Sequence, residues 1–284
     1  MHSAFIGRNT LGGSKLPEYW PTLVSSFLIF TLIHQVIAPI LSRAVAPVSY
    51  TAIRSRRTRN TWGVHFTSQC HVLVVVPVAL WCIREQARDP EWDKRRERMF
   101  GWDERAAHIN AIACGYFLWD SLDAIINFTN IGYVIHGLGS LAVFAFSFRP
   151  FGSYYVTRCL LWEVSTFFLN NHWFLDKTNR TGSTLQLVNG LCLLATFFGV
   201  RIIFGILISL DFLVSALHEY KDLPFFYVLV SLISCFTLQG LNWYWFAKMI
   251  EAHHKRFEGK SRESVKLIND TNLVQNDAKA GTSW

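Results

Sequence analysis

Apolar residues in this chain come in blocks of about 18 to 25, the length an α-helix needs to cross a bilayer. Short stretches that collect charge and turn-forming residues separate them. Counting the blocks gives spans near residues 20–42, 63–83, 106–127, 131–148, 154–174, 185–211 and 225–248. The pattern predicts an all-α, polytopic membrane helical bundle of six or seven transmembrane helices. Residues 1–18 form an N-terminal tail without an apolar core, so the first block is expected to act as a signal anchor rather than a cleaved leader. A first transmembrane helix and a basic loop occupy 19–61, the main helical block occupies 62–250, and the polar segment 251–284 is expected to lack structure.

Composition agrees with the pattern, with 51% hydrophobic and 15% aromatic residues in 284. The six cysteines, Cys70, Cys82, Cys114, Cys159, Cys192 and Cys235, all fall inside predicted spans and show no CxxC spacing. Neither a disulfide framework nor a metal site is indicated. The formal net charge of +7 could suit nucleic acid, yet the basic residues sit in loops beside membrane helices. Membrane lipids with anionic or phosphorylated head groups are the better match, and no nucleic-acid partner is expected.

Seven helices place Arg54, Arg56, Arg57, Arg59, Lys177 and Arg180 on one face together with the C-terminal segment and its Lys248, Lys255, Arg256, Lys260 and Arg262. The positive-inside rule makes that face, and the C-terminus, cytosolic. On the opposite face the segment Arg84 to Arg105 carries seven basic and seven acidic residues. With Trp92, Met99, Phe100 and Trp102 among its charges it reads either as an amphipathic stretch at head-group level or as a solvated loop.

Ionisable groups at membrane depth are costly and therefore informative. Helix direction and a rise of about 1.5 Å per residue place His71, Asp120, Asp123, His136, Asn170, Asn171, His172, Gln186, Asn189, Gln239 and Asn242 in the cytosolic half of the bundle. Such a layer suits a cavity open to that side. Asn and Gln near helix ends also bond neighbouring helices, which is the alternative. Glu163 and Arg201 match in depth beyond the midplane and read as a structural ion pair, each charge offsetting the desolvation of the other.

Several segments together carry a resemblance: Thr67-Ser68-Gln69-Cys70-His71, Gly115-Tyr116-Phe117-Leu118-Trp119-Asp120, Val134-Ile135-His136, Trp162-Glu163-Val164-Ser165-Thr166-Phe167-Phe168-Leu169-Asn170 and Phe197-Phe198-Gly199-Val200-Arg201-Ile202. In order and spacing the chain resembles the TLC-domain family of ceramide synthase-like membrane proteins over Trp62 to Ile250. Members with ceramide synthase activity carry two adjacent histidines in the fourth of these helices, whereas His136 is followed here by Gly137. They also carry a downstream acidic and polar motif that Phe146 to Tyr155 does not reproduce. The chain is more similar to the short TLC domain-containing proteins linked to lipid homeostasis.

The resemblance implies residence in the endoplasmic reticulum membrane and leaves two readings open. In one, the chain binds a lipid or acyl chain in a cytosol-facing intramembrane cavity, with His136 as a hydrogen-bonding ligand and Trp119, Asn170, Asn171 and Asn189 along its walls. In the other, it transfers an acyl group from acyl-CoA, used as co-substrate, to a lipid amine or hydroxyl. His136 would then be base or nucleophile, oriented by Asp120 or Asp123, with His71 as a second base and Arg54, Arg56 and Arg57 holding CoA phosphates. No bound cofactor is required by either. A transporter is disfavoured by the lack of internal symmetry, and a di-iron centre by the dispersal of the histidines.

Overall fold

The computed structural model describes residues 13–149, 151–223 and 225–280. The N-terminal tail through residue 12 and the last four residues lie outside the described residues. Each of the seven apolar blocks forms a helix, and among the described residues there is no strand. Helix α1 runs Leu16–Val45 with one π-helical turn at Ile33–Ile37, and a short α2 follows at Pro47–Thr51. Then come α3 at Arg56–Ala87, a short α4 at Arg95–Phe100, α5 at Glu104–Ile126 and α6 at Ile131–Phe146. Helix α7 comprises Ser153–Cys159, a 3-10 turn at Leu160–Trp162 and Glu163–Lys177. Helix α8 is Thr184–His218, with a π-helical segment at Phe197–Ile203, and α9 is Phe225–Ala280.

The polar punctuation seen in the sequence supplies the helix starts. Ser55, Asp103, Asn130 and Ser183 each accept a backbone N–H of the first turn, at 3.4, 3.0, 2.7 and 3.2 Å, so donors that would otherwise be orphaned are satisfied. Five stretches, 16–45, 56–87, 95–126, 184–218 and 225–252, are long and apolar enough to cross a bilayer. Helix α6 is equally apolar, but its 16 residues span only about 24 Å. Outward positions such as Leu28, Leu32, Leu73, Leu80, Leu207 and Phe236 are exposed. An apolar exterior of this extent belongs in lipid, and the chain is a polytopic helical membrane protein.

Residues up to Asn242 form one compact unit and those from Trp243 another. In the first, α5 is central. Its inward face is built from small residues, Ala107, Ala111, Ala113, Cys114 and Gly115, all buried, which lets neighbours approach closely. At Gly115 a Cβ would overlap the Leu23 carbonyl of α1, so here α1 and α5 touch backbone to backbone. Tyr19, Leu23 and Phe30 of α1 share one core with α5. The first helix, set apart from the main helical block by sequence, therefore packs as part of the same bundle.

One segment matches an expectation and another departs from it. The charged stretch between α3 and α5 contains a short helix with an apolar inner side and charged outer side, in keeping with the amphipathic reading rather than a wholly solvated loop. Its helix α4 docks on the bundle: Met99 is fully buried against Phe151, Tyr155 and Phe212, Arg98 pairs with Asp211 at 3.2 Å, and Arg96 pairs with Glu219 and Asp222 at 2.8 and 2.7 Å. Several acids of the stretch pair with its own bases, as in Arg88–Glu85, Lys94–Glu91 and Arg105–Asp103. Residues 251–280, read from composition as unstructured, are helical. This run contains a single glycine, Gly259, no proline and many strong helix formers.

Candidate functional site

The polar residues of the bundle interior separate into two groups. The first lies between α1, α3, α5 and α7. Both carboxylate oxygens of Asp123 accept from Asn60 Nδ2 of α3 at 3.2 Å, and Oδ1 also accepts from Asn127 at 2.9 Å. His65 Nδ1 and Asn170 Oδ1 stand 2.8 Å apart while the His65 ring stacks on Trp173, and Asn170 Nδ2 donates to Ser68 at 3.2 Å. His34 sits in the π turn of α1, edge-on to Trp119 at 5.2 Å, and a Cβ on Gly63 would overlap its ring. His71 is completely enclosed, stacked on Tyr116 at 3.7 Å with the rings of Phe30 and Phe117 around it. Neither of its ring nitrogens has a partner among the described residues.

The second group lies between α6, α7, α8 and α9. The π segment of α8 re-aims Arg201, a common use of such a bulge, and frees its carbonyl to accept from Gln239 at 3.1 Å. The guanidinium is held from every side. Nε donates to Ser165 Oγ at 2.9 Å and to the Trp162 carbonyl at 3.2 Å, Nη1 to Asn242 Oδ1 at 3.3 Å, and Nη2 to Thr166 Oγ1 at 3.0 Å and Glu163 Oε1 at 3.5 Å. Both Glu163 and Arg201 are buried. Here the paired charges and their hydrogen bonds offset a desolvation that neither could bear alone.

Beside this pair is a cavity of about 30 Å³ bordered by Phe117, His136, Ser140, Leu160, Trp162, Glu163 and Arg201, room for one or two waters. A second cavity of about 70 Å³ is walled mainly by apolar groups, among them Phe146, Phe151, Tyr155, Ile208, Phe212 and Cys235. The two share Val143, Cys159, Trp162 and Leu238 as walls. The inner cavity is edged by His136, Glu163 and Arg201, and the larger, apolar one lies beside it toward the α6–α7 connection. Arg201 stands midway along α8, equally far from Thr184 and His218, so the inner cavity lies deep in the bundle.

Of the residues nominated by sequence, His136, Glu163 and Arg201 are brought together at this inner cavity, although sequence depth had assigned them to different layers. Asp120 lies at the α5–α6 contact, where a Cβ on Gly137 would stand 3.3 Å from its Oδ2 and 2.8 Å from Ser121 Oγ. Asp123, Trp119, Asn170 and His71 belong to the first group, and Asn189 donates across to the Phe168 carbonyl of α7 at 2.9 Å. Asn171 is half-buried beside Asn170 on α7. Arg54, Arg56 and Arg57 are exposed at the start of α3, where Arg57 reaches the Thr129 carbonyl at 3.4 Å. The expected cavity opening beneath these arginines is not where these two cavities lie, because the larger one extends toward the opposite end of the bundle. Residues that the sequence reading passed over include His34, His65, Tyr116 and Trp162. The last stands next to Glu163 in a segment already singled out, and that adjacency was the available signal.

Sequence comparison assigns this helical membrane protein to a family. The pattern that defines the TLC domain matches residues 61–251, and the chain belongs to the TLC-domain family. It is 34% identical over 255 residues to an uncharacterised TLC domain-containing protein of Schizosaccharomyces pombe, covering 89% of this chain and 85% of that protein. It is 28% identical to TLC domain-containing protein 4-B of Danio rerio, over 89% and 96% of the two chains. The Topoisomerase I damage affected protein 4 of Saccharomyces cerevisiae is 28% identical over 82% of this chain and 84% of its own length.

Proposed function

We propose that this protein acts in lipid homeostasis by holding a lipid or acyl chain in the cavities between α6, α7, α8 and α9, in the membrane of the endoplasmic reticulum and with its C-terminus in the cytosol. The observation that carries the reading is the adjacency of an apolar cavity and one edged by His136, Glu163 and Arg201, with Val143, Cys159, Trp162 and Leu238 bordering both. An amphiphile matches that division: its chain takes the apolar part and its polar end meets the fixed hydrogen-bonding groups. The orientation rests on the basic residues Arg54 to Arg59 and those after Lys248, and protease protection of a C-terminal tag in sealed microsomes would overturn it.

The second reading, acyl transfer from acyl-CoA with His136 as base or nucleophile, is favoured by the place of His136 on the cavity beside Glu163. Two observations weigh against it. The arginines suited to CoA phosphates are at the other end from the larger cavity. Position 137 is pressed against Ser121 and Asp120, so a second imidazole there would need the helices to part. Untargeted lipidomics on cells lacking the protein, rescued with wild type or His136→Ala, tests whether His136 works at all, and rescue by His136→Gln, which keeps a hydrogen-bonding group but no base, separates holding from transfer. A lipid change restored by wild type and not by His136→Ala supports a working His136, whereas full rescue by His136→Ala removes it from the site.

A further inference from the structure

The larger cavity measures about 70 Å³, several times less than the roughly 300–1,000 Å³ of a small-molecule site. Anything beyond a few atoms therefore enters it only if a wall moves. Most of the wall is carried by long helices. Where it leaves them, at Phe151 and Gly152 of the α6–α7 connection, it is backed from outside by the six-residue helix α4. Met99 of α4 packs on Phe151, Tyr155 and Phe212, three residues that border the cavity, without bordering it itself. The Met99 carbonyl also accepts from the backbone N–H of Gly152 at 2.7 Å.

The fastenings of α4 are few. Besides Met99 they are the ion pair of Arg98 with Asp211 at 3.2 Å and the pairs of Arg96 with Glu219 and Asp222 at 2.8 and 2.7 Å, while Arg98 Nε donates to the Trp92 carbonyl at 2.8 Å. The side chains of Arg96 and Asp222 are 54% and 49% exposed, so salt screens that pair. The residues that flank α4, Lys94 and Gly101, both have extended backbone, with ψ of 129° and 148°, and single residues of this kind absorb the rotation when a short element swings. One buried side chain, a few ion pairs and two extended flanks make an element that opens at a lower free energy than the bundle beneath it.

We propose that α4 is a latch on the larger cavity: released from Asp211, Glu219 and Asp222 and turning about Lys94 and Gly101, it withdraws Met99 and lets Phe151, Tyr155 and Phe212 part, which opens the cavity at the end of the bundle opposite Arg54, Arg56 and Arg57. The movement stands by itself, and its purpose rests on the reading of the cavities as a lipid site, since a chain larger than the closed volume then has an entrance. The protein carries its own reporters. Cys159 and Cys235 border the larger cavity, whereas Cys82 and Cys114 are buried in the separate core shared by α1, α3 and α5.

The test labels the purified full chain in detergent micelles with N-ethylmaleimide and follows each cysteine by peptide mass spectrometry. In the wild type, raising sodium chloride from about 0.1 M to about 1 M shortens the screening length to about 3 Å and should speed the labelling of Cys159 and Cys235 about two- to threefold. Cys82 and Cys114 should stay protected. Arg96→Ala combined with Arg98→Ala should speed the same two sites about fivefold without added salt and abolish the salt response, and Met99→Ala should speed them about tenfold or more. If Met99→Ala does not fold, the wild-type salt series and the double arginine variant still decide. Cys159 and Cys235 rates indifferent to salt and to the variants overturn the latch. So does labelling that rises in step at Cys82 and Cys114, which marks a general loosening. Oleyl alcohol added to the double arginine variant should slow labelling of Cys159 and Cys235. No such protection, with the salt and variant responses intact, overturns the lipid-site reading and leaves the latch standing.

Discussion

Two groups of buried polar residues lie close together in this bundle, and their surroundings differ. Between α1, α3, α5 and α7 the side chains of Asp123, Asn60, His65, Asn170 and Ser68 bond one another across helices, and aromatic rings fill the space around them. Between α6, α7, α8 and α9 the Glu163–Arg201 pair is anchored just as firmly, but a void stands beside it, whereas the unpaired ring nitrogens of His71 in the first group are closed in by aromatic rings. Polar residues at membrane depth thus do two jobs. Where helices satisfy each other's hydrogen bonds, the residues are glue. Where satisfaction stops at a cavity, they are a candidate site.

The comparison breaks most visibly at the charged pair. Arg201→Leu or Glu163→Ala alone should cost about 3 to 5 kcal/mol by leaving one buried charge uncompensated, read as a large fall in thermal stability or in folded yield. The double substitution Glu163→Leu with Arg201→Leu should be less damaging than either, and a double variant worse than both singles would show that the two residues do not act as a pair.

At the α5–α6 contact, Gly137→His should destabilise by about 1 to 3 kcal/mol through overpacking against Ser121 and Asp120. Thermal unfolding checks it. A histidine accommodated without loss would mean that α6 can move away from α5, and it would revive chemistry needing two imidazoles.

The two groups should also part in kind. Asn170→Ala in the filled group is expected to lose about 0.6 kcal/mol or somewhat more without changing lipid binding. His136→Ala at the inner cavity should change lipid binding or the cellular lipid profile with little loss of stability. If Asn170→Ala abolishes binding while His136→Ala leaves it intact, the assignment of the site to the second group is wrong.

The smallest effect is expected at the clasp. Arg96→Ala removes exposed pairs with Glu219 and Asp222 and should cost no more than about 1 kcal/mol, less at high salt. Met99→Ala in the same helix removes a fully buried side chain and should cost about 2 to 5 kcal/mol. Urea titrations of the pair test whether α4 is held by its core contact rather than by its charges.

Much of the architecture was readable without coordinates. Seven apolar blocks separated by capping residues such as Ser55, Asp103, Asn130 and Ser183 mark seven helices, because span length, the outward apolar face and the first-turn caps are local properties of the chain. Family membership was readable too, from short segments in order. Depth counting selected the buried polar residues, including His136, Glu163 and Arg201. It misassigned their neighbourhoods, since a count of residues from a helix end carries no information about rotation around the helix axis or about which helix stands opposite. Tertiary structure decided those matters. The π segment at Phe197–Ile203 turned Arg201 toward α7 and α9, the glycine at 137 let α6 settle onto Asp120, and packing filled the space around His71 while leaving a void beside His136. Cavities arise from how side chains of distant segments fail to meet, and that failure has no local signature in a sequence.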